Sequence, residues 1–148
     1  MTVPARVSLV TLGVADVARS TAFYQAMGWE PSAASVAGDV TFFRSGGAIL
    51  ALWGAGDLAA DAGADGAPPT ASKPGFRGVA LAINLGSEAE VDAAFASAEA
   101  AGAVIVKPPT RTEWGGYSGY FADPDGHAWE LAHNPYWPLG PDGLPQLP

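Results

Sequence analysis

One pattern occurs twice along this chain, and the repetition narrows the fold more than any other feature. Val7 to Val14 is β-branched and apolar, as a strand requires. It leads to Asp16, whose side-chain oxygen suits the free amides that open a helix. Val17, Phe23, Tyr24 and Met27 then recur at helical spacing, and Gly28 is placed to close the helix in a left-handed conformation. Val40 to Arg44 and Ala48 to Trp53 read as strands around a Ser45-Gly46-Gly47 turn, with a weaker strand at Glu30 to Val36. From Gly78 the same grammar returns: a strand to Leu85, then Ser87 as a cap with Glu90 completing a capping box. Val91, Phe95 and Ala98 form that helix's apolar stripe, and Gly102 ends it. Strands follow at Ala103 to Lys107, Tyr117 to Ala122 and His127 to Ala132, the last two joined by an Asp123-Pro124-Asp125-Gly126 turn.

Each half thus reads strand, helix, strand, strand, strand. Module 1 covers residues 5–54 and module 2 residues 76–133, with a connector at 55–75 and a Pro-rich tail at 134–148. The connector is rich in Ala, Gly, Asp and Pro and has room for one short helical turn; it suits a linker, or a lid beside a cavity. At 148 residues a single domain with a sizeable core is expected.

Composition removes several functions. With no cysteine, thiolate nucleophiles, thiolate metal sites and disulfides are excluded. Only two histidines are present, His127 and His133, so any metal site must lean on carboxylates. Seven dispersed Lys and Arg against a net charge of -8 argue against nucleic acid as a partner and would favour a cationic ligand. The chain shows no signal-peptide pattern and no apolar run near the roughly 20 residues of a membrane span, so no membrane partner and a cytoplasmic location are expected.

The two modules, the helix bearing Ser20 and Phe23-Tyr24, and the closing hairpin Tyr120-Phe121-Ala122-Asp123-Pro124-Asp125-Gly126-His127-Ala128-Trp129-Glu130-Leu131 together resemble the vicinal oxygen chelate superfamily, which has the glyoxalase, bleomycin-resistance and dioxygenase fold. The resemblance spans Val7 to Leu131. It implies an α+β protein whose two βαβββ modules form a curled eight-stranded cup with helices outside, often as a homodimer. Metal-dependent members place one ligand on the first and one on the last strand of each module. Carried over, those positions fall on Leu9, Ala51, Gly78 and Glu130, of which only Glu130 matches. A single carboxylate does not retain zinc, iron or manganese against water, so no metal and no other cofactor is expected, which argues against glyoxalase I and extradiol dioxygenase.

Strand alternation extends the inward set to Leu9, Thr11, Ile49, Ala51, Trp53, Gly78, Ala80, Ala82, Ala128, Glu130 and Ala132. Its small residues leave volume for a ligand, or for a helix, the tail or a partner chain. Trp53, Trp114, Tyr117 and Tyr120 are candidate aromatic walls, and each alone also suits a core. Thr112 to Tyr117 reads as a flap or an ordinary loop, and the tail aromatics Tyr136 and Trp137 need a surface to cover. His127 reads as structural, on the strand face opposite Glu130. The charge of Glu130 is costly to bury unless backbone amides or Arg111 satisfy it, which fits Glu130 to take a proton or pair with a cationic ligand. Two functions follow. One is metal-independent binding of a small, aromatic or cationic molecule, as in antibiotic-sequestering resistance proteins, with Leu9, Thr11, Trp53, Trp114, Tyr117, Tyr120 and Glu130 as ligand contacts. The other is a metal-free lyase or isomerase with Glu130 as catalytic base, aided by Tyr117, Tyr120 or Thr11.

Overall fold

The computed structural model describes residues 3–63 and 76–147, in two compact units divided between Asp65 and Gly66. In the first unit, β1 (Leu9–Val14), α1 (Val17–Ala26), β2 (Val40–Arg44), β3 (Ile49–Gly54) and α2 (Ala55–Asp61) follow in order. β3 is central, parallel to β1 and antiparallel to β2. Asp16 caps α1 as its short acceptor side chain predicts, accepting from the Arg19 amide at 2.9 Å. The helix ends at Met27, just before Gly28 at φ 93°.

Alternation decides what α1 covers. Leu12, Leu50 and Leu52 are buried with Phe23, Tyr24 and Phe43, whereas Leu9 and Ile49, on the other face, stay exposed. The rings of Tyr24, Phe43 and Trp29 meet within 5.7 to 5.9 Å of one another, and each buried aromatic of this kind contributes about 1.5–3 kcal/mol. A Thr21–Thr41 hydroxyl contact of 2.7 Å fastens helix to sheet. α2 lies over the opposite face, where Gly13 leaves Ala55 and Leu58 almost no room for an extra carbon. The connector is therefore helical at its start, beyond the single turn expected; its residues 64–75 lie outside the described residues.

The strand expected at Glu30 to Val36 is reduced to two isolated bridges, Pro31 with Phe43 and Val36 with Val40. Pro31 has no amide to donate, and Ser35 uses its hydroxyl to accept from the Phe42 amide at 2.9 Å, which takes the place of a regular ladder bond.

The second unit contains β4 (Ala80–Asn84), α3 (Glu88–Ala100), β5 (Val104–Arg111), β6 (Tyr117–Ala122) and β7 (Ala128–His133), in the sheet order β4-β7-β6-β5. Ser87 caps α3 through the Glu90 amide at 3.2 Å, but the Glu90 carboxylate reaches back to the amide of Gly86, at 2.9 Å, one residue before the expected partner. Val91, Phe95 and Ala98 pack on Phe121, Trp129 and Leu131. β5 runs past Lys107 through Pro108 and Pro109, which an edge strand tolerates because its outer amides need no partner, and its pairing with β6 is bulged on both sides of Lys107. The chain is α+β, with a strand-helix-strand module in each unit.

Candidate functional site

Two side chains of opposite function meet on the face of the second sheet that α3 does not cover. Phe121, Trp129 and Leu131 turn toward the helix, so Tyr120, Glu130 and Ala132 turn away from it. Antiparallel pairing sets Tyr120 directly beside Glu130 on β6 and β7. On the other side of Glu130, parallel pairing sets Ala82 of β4, and beyond Tyr120 lies Lys107 of β5. The tyrosine hydroxyl is held above its ordinary pKa by partial burial first and then by the neighbouring Glu130 carboxylate.

Around the pair the side chains are small. Ala80 and Ala82 are exposed, Ala122 and Ala128 face each other across β6 and β7, and Ala132 is paired with Ser118. This is a shallow apolar floor with one acid and one phenol standing on it.

Arg111, a possible partner for Glu130, is engaged elsewhere: its guanidinium makes two bonds of 3.2 Å to Glu88, which raise its pKa. Tyr117 lies on the helix side, opposite Tyr120, where its hydroxyl donates to Asp92 at 2.7 Å and its pKa is raised chiefly by that bond. His133 shares that side in register with Tyr117, and its Nδ1 is 3.0 Å from the Leu85 carbonyl oxygen. The His127 amide donates to Asp123 Oδ1 at 2.8 Å.

Trp114 is half exposed, and its ring folds over Gly116. The loop around it is closed by Thr112, which bonds Gly116 through both backbone and hydroxyl. Tyr136 of the tail lies against Gly115 on the same loop. Tyr136 thus covers part of the loop, while it and Trp137 keep exposed surface.

In the first unit, Leu9, Thr11 and Trp53 share the face that α1 leaves uncovered, with Thr11 beside Ala51 and Trp53 beside Gly13. Leu9 is exposed and Trp53 half-buried. Leu9 and Gly78 lie toward the N-terminal side of the residues that stand beside Ala51 and Glu130, and Gly78, at φ 75°, precedes β4.

These residues do not fit a resident divalent metal. Leu9, Thr11, Ala51, Gly78 and Ala82 offer no imidazole or carboxylate, Glu130 stands beside an alanine and a phenol, and among the described residues no three His, Asp or Glu side chains gather.

Residues 6–131 match the family model of the Glyoxalase/Bleomycin resistance protein/Dioxygenase superfamily. The chain belongs to that superfamily. Among solved structures, this superfamily member is similar to a glyoxalase-related enzyme from Fulvimarina pelagi, at 36% identity over 97% of this chain and 99% of that one, with a TM-score of 0.81. It is also similar to a glyoxalase/bleomycin resistance protein/dioxygenase from Nocardioides, at 29% identity over 100% and 93% of the two chains and a TM-score of 0.71. A lactoylglutathione lyase from Agrobacterium tumefaciens follows at 25% identity, 90% and 97% coverage, and a TM-score of 0.66. None of the curated proteins compared with the chain matches it.

Lys107 was not among the sequence candidates. Its signal is faint, because the Pro108-Pro109 pair breaks the strand pattern and plain alternation from Ile105, the partner of helix-facing Phe121, would turn Lys107 toward the helix; only the bulged register sets it beside Tyr120.

Proposed function

We propose that this superfamily member binds a small organic molecule without a resident metal, with Glu130 and Tyr120 as its polar contacts, in the manner of the superfamily's drug-sequestering members. The observation that carries this reading is the company of Glu130: an alanine on one side and a phenol on the other, each in direct register with it. A carboxylate so placed suits a cationic or hydrogen-bond-donating group, the Tyr120 ring suits a flat apolar one, and the alanine floor leaves space above both. The test is elemental analysis of purified protein followed by tryptophan-fluorescence titration with antibiotics and aromatic metabolites. Metal-poor protein that binds a panel compound without consuming it is expected. Stoichiometric zinc, iron or manganese, or the absence of binding across the panel, overturns the reading.

A second reading is favoured by the direct pairing of Tyr120 with Glu130 and by the 36% identity to a glyoxalase-related enzyme. Here the substrate is an α-hydroxycarbonyl: Glu130 takes the proton from the hydroxyl-bearing carbon to give an enediol and returns it to the former carbonyl carbon, while the hydroxyl proton passes to the former carbonyl oxygen, an isomerisation that needs no oxidant. Consumption of a panel compound, lost in Glu130→Gln, would favour this reading over sequestration.

A further inference from the structure

Four adjacent strands place Lys107, Tyr120, Glu130 and Ala82 in one row across the second sheet. Directly paired residues share a face, so the lysine and the glutamate stand on the same side with the phenol between them. Strands lie about 4.8 Å apart, which sets the Lys107 and Glu130 backbones roughly 10 Å apart. Among the described residues, the two arginines of this unit are engaged: Arg111 with Glu88, and Arg77 with the Asp125 carbonyl oxygen at 2.9 Å. Lys107 is exposed and, among the described residues, makes no ion pair. The ladder is bulged before and after Lys107, the kind of irregularity that re-aims a side chain at the rim of a site.

From this arrangement we infer that the row recognises a doubly charged ligand, a flat ring carrying a cationic group on one side and an anionic group on the other. The inference rests on the binding reading above and deepens it. The cation meets Glu130, the ring lies on Tyr120, and the anion meets Lys107. The surface as a whole is acidic, with a net charge of -8, and repels anions. Lys107 is what makes an anionic group acceptable at this place.

Three probes of one shape separate the contributions: para-aminomethylbenzoate carries both charges, para-methylbenzylamine only the cation and para-methylbenzoate only the anion. Fluorescence titration of the full chain should rank the doubly charged probe above each singly charged one by roughly fivefold, the size of one partly exposed ion pair. Lys107→Gln should abolish the preference over the amine, and Lys107→Arg should keep it. Glu130→Gln should abolish the preference over the benzoate. Circular dichroism confirms that each variant is folded. Equal affinity for the three probes, failure of the doubly charged probe to bind, or a preference unchanged in Lys107→Gln overturns the inference. If antibiotics or aromatic metabolites still bind in that event, the binding reading stands without it.

Discussion

Tyr120 and Glu130 stand side by side as a registered pair on neighbouring antiparallel strands, on the sheet face away from α3. Burial and the adjacent Glu130 charge both favour the protonated phenol.

That coupling predicts an alkaline signature. Burial, then the neighbouring Glu130 carboxylate, raise the Tyr120 pKa above its ordinary value of 10.0 in the folded state. A raised folded pKa adds stability that is fully present below the unfolded value and is lost as pH rises through the folded one. Urea denaturation at increasing alkaline pH should therefore show stability falling above the ordinary tyrosine pKa, with a shallower fall in Tyr120→Phe. Tyrosinate absorbance should show one group moving toward the ordinary value in Glu130→Gln. Identical tyrosinate titrations in Glu130→Gln and the parent would break the link between the two residues.

The cap of α3 gives a second prediction. Ser87 accepts from the Glu90 amide, and α3 carries the Val91, Phe95 and Ala98 stripe that covers the sheet. Ser87→Ala should cost about 1 kcal/mol in urea denaturation. An unchanged midpoint would mean that water replaces the cap at no cost.

The repeat, the caps and the helix-facing stripes were legible because each is a local pattern: Asp16 and Ser87 each precede an apolar periodicity, and Leu50 and Leu52, like Trp129 and Leu131, put large apolar side chains at every second position. Glu130 was singled out in another way, by the resemblance of the closing hairpin rather than by periodicity. What escaped depends on pairing. Tyr117 and Tyr120 are three residues apart on one strand, so they occupy opposite faces, and only the placement of Asp92 and Glu130 shows which ring belongs to which. Lys107 was hidden by bulges, and the strand expected at Glu30 to Val36 gave way to serine side chains that compete for backbone groups.

Gly119 lies where β6 faces the bulge of β5. A carbon added there would come 2.6 Å from the Lys107 carbonyl oxygen and 2.8 Å from both the Pro109 nitrogen and the Phe95 ring. Two of these are backbone atoms that cannot rotate aside, so Gly119→Ala should cost about 1–3 kcal/mol. Gly56 in α2 has open space around it, and Gly56→Ala should be neutral or mildly stabilising. Chemical denaturation of both variants measures the contrast. Equal stability of the two would show that β5 shifts freely and that the bulge beside Lys107 is not fixed by packing.

Asp123 holds the turn that launches the strand bearing Glu130. Its side chain is buried, and Oδ1 accepts from the Asp125 amide at 3.0 Å and the His127 amide at 2.8 Å. Replacing it with alanine removes the acceptor from two amides where water has little access, a loss of about 2–3 kcal/mol. Asn keeps an oxygen at that position, so Asp123→Asn should cost less. Because the turn joins β6 to β7, loosening it should also disturb the Tyr120–Glu130 register. The tyrosinate titration of Asp123→Ala should then move in the same direction as that of Glu130→Gln. A variant that loses stability but keeps the parent's tyrosinate titration would show that the ladder alone, through the pairs from Tyr117–His133 to Ala122–Ala128, holds the two side chains together.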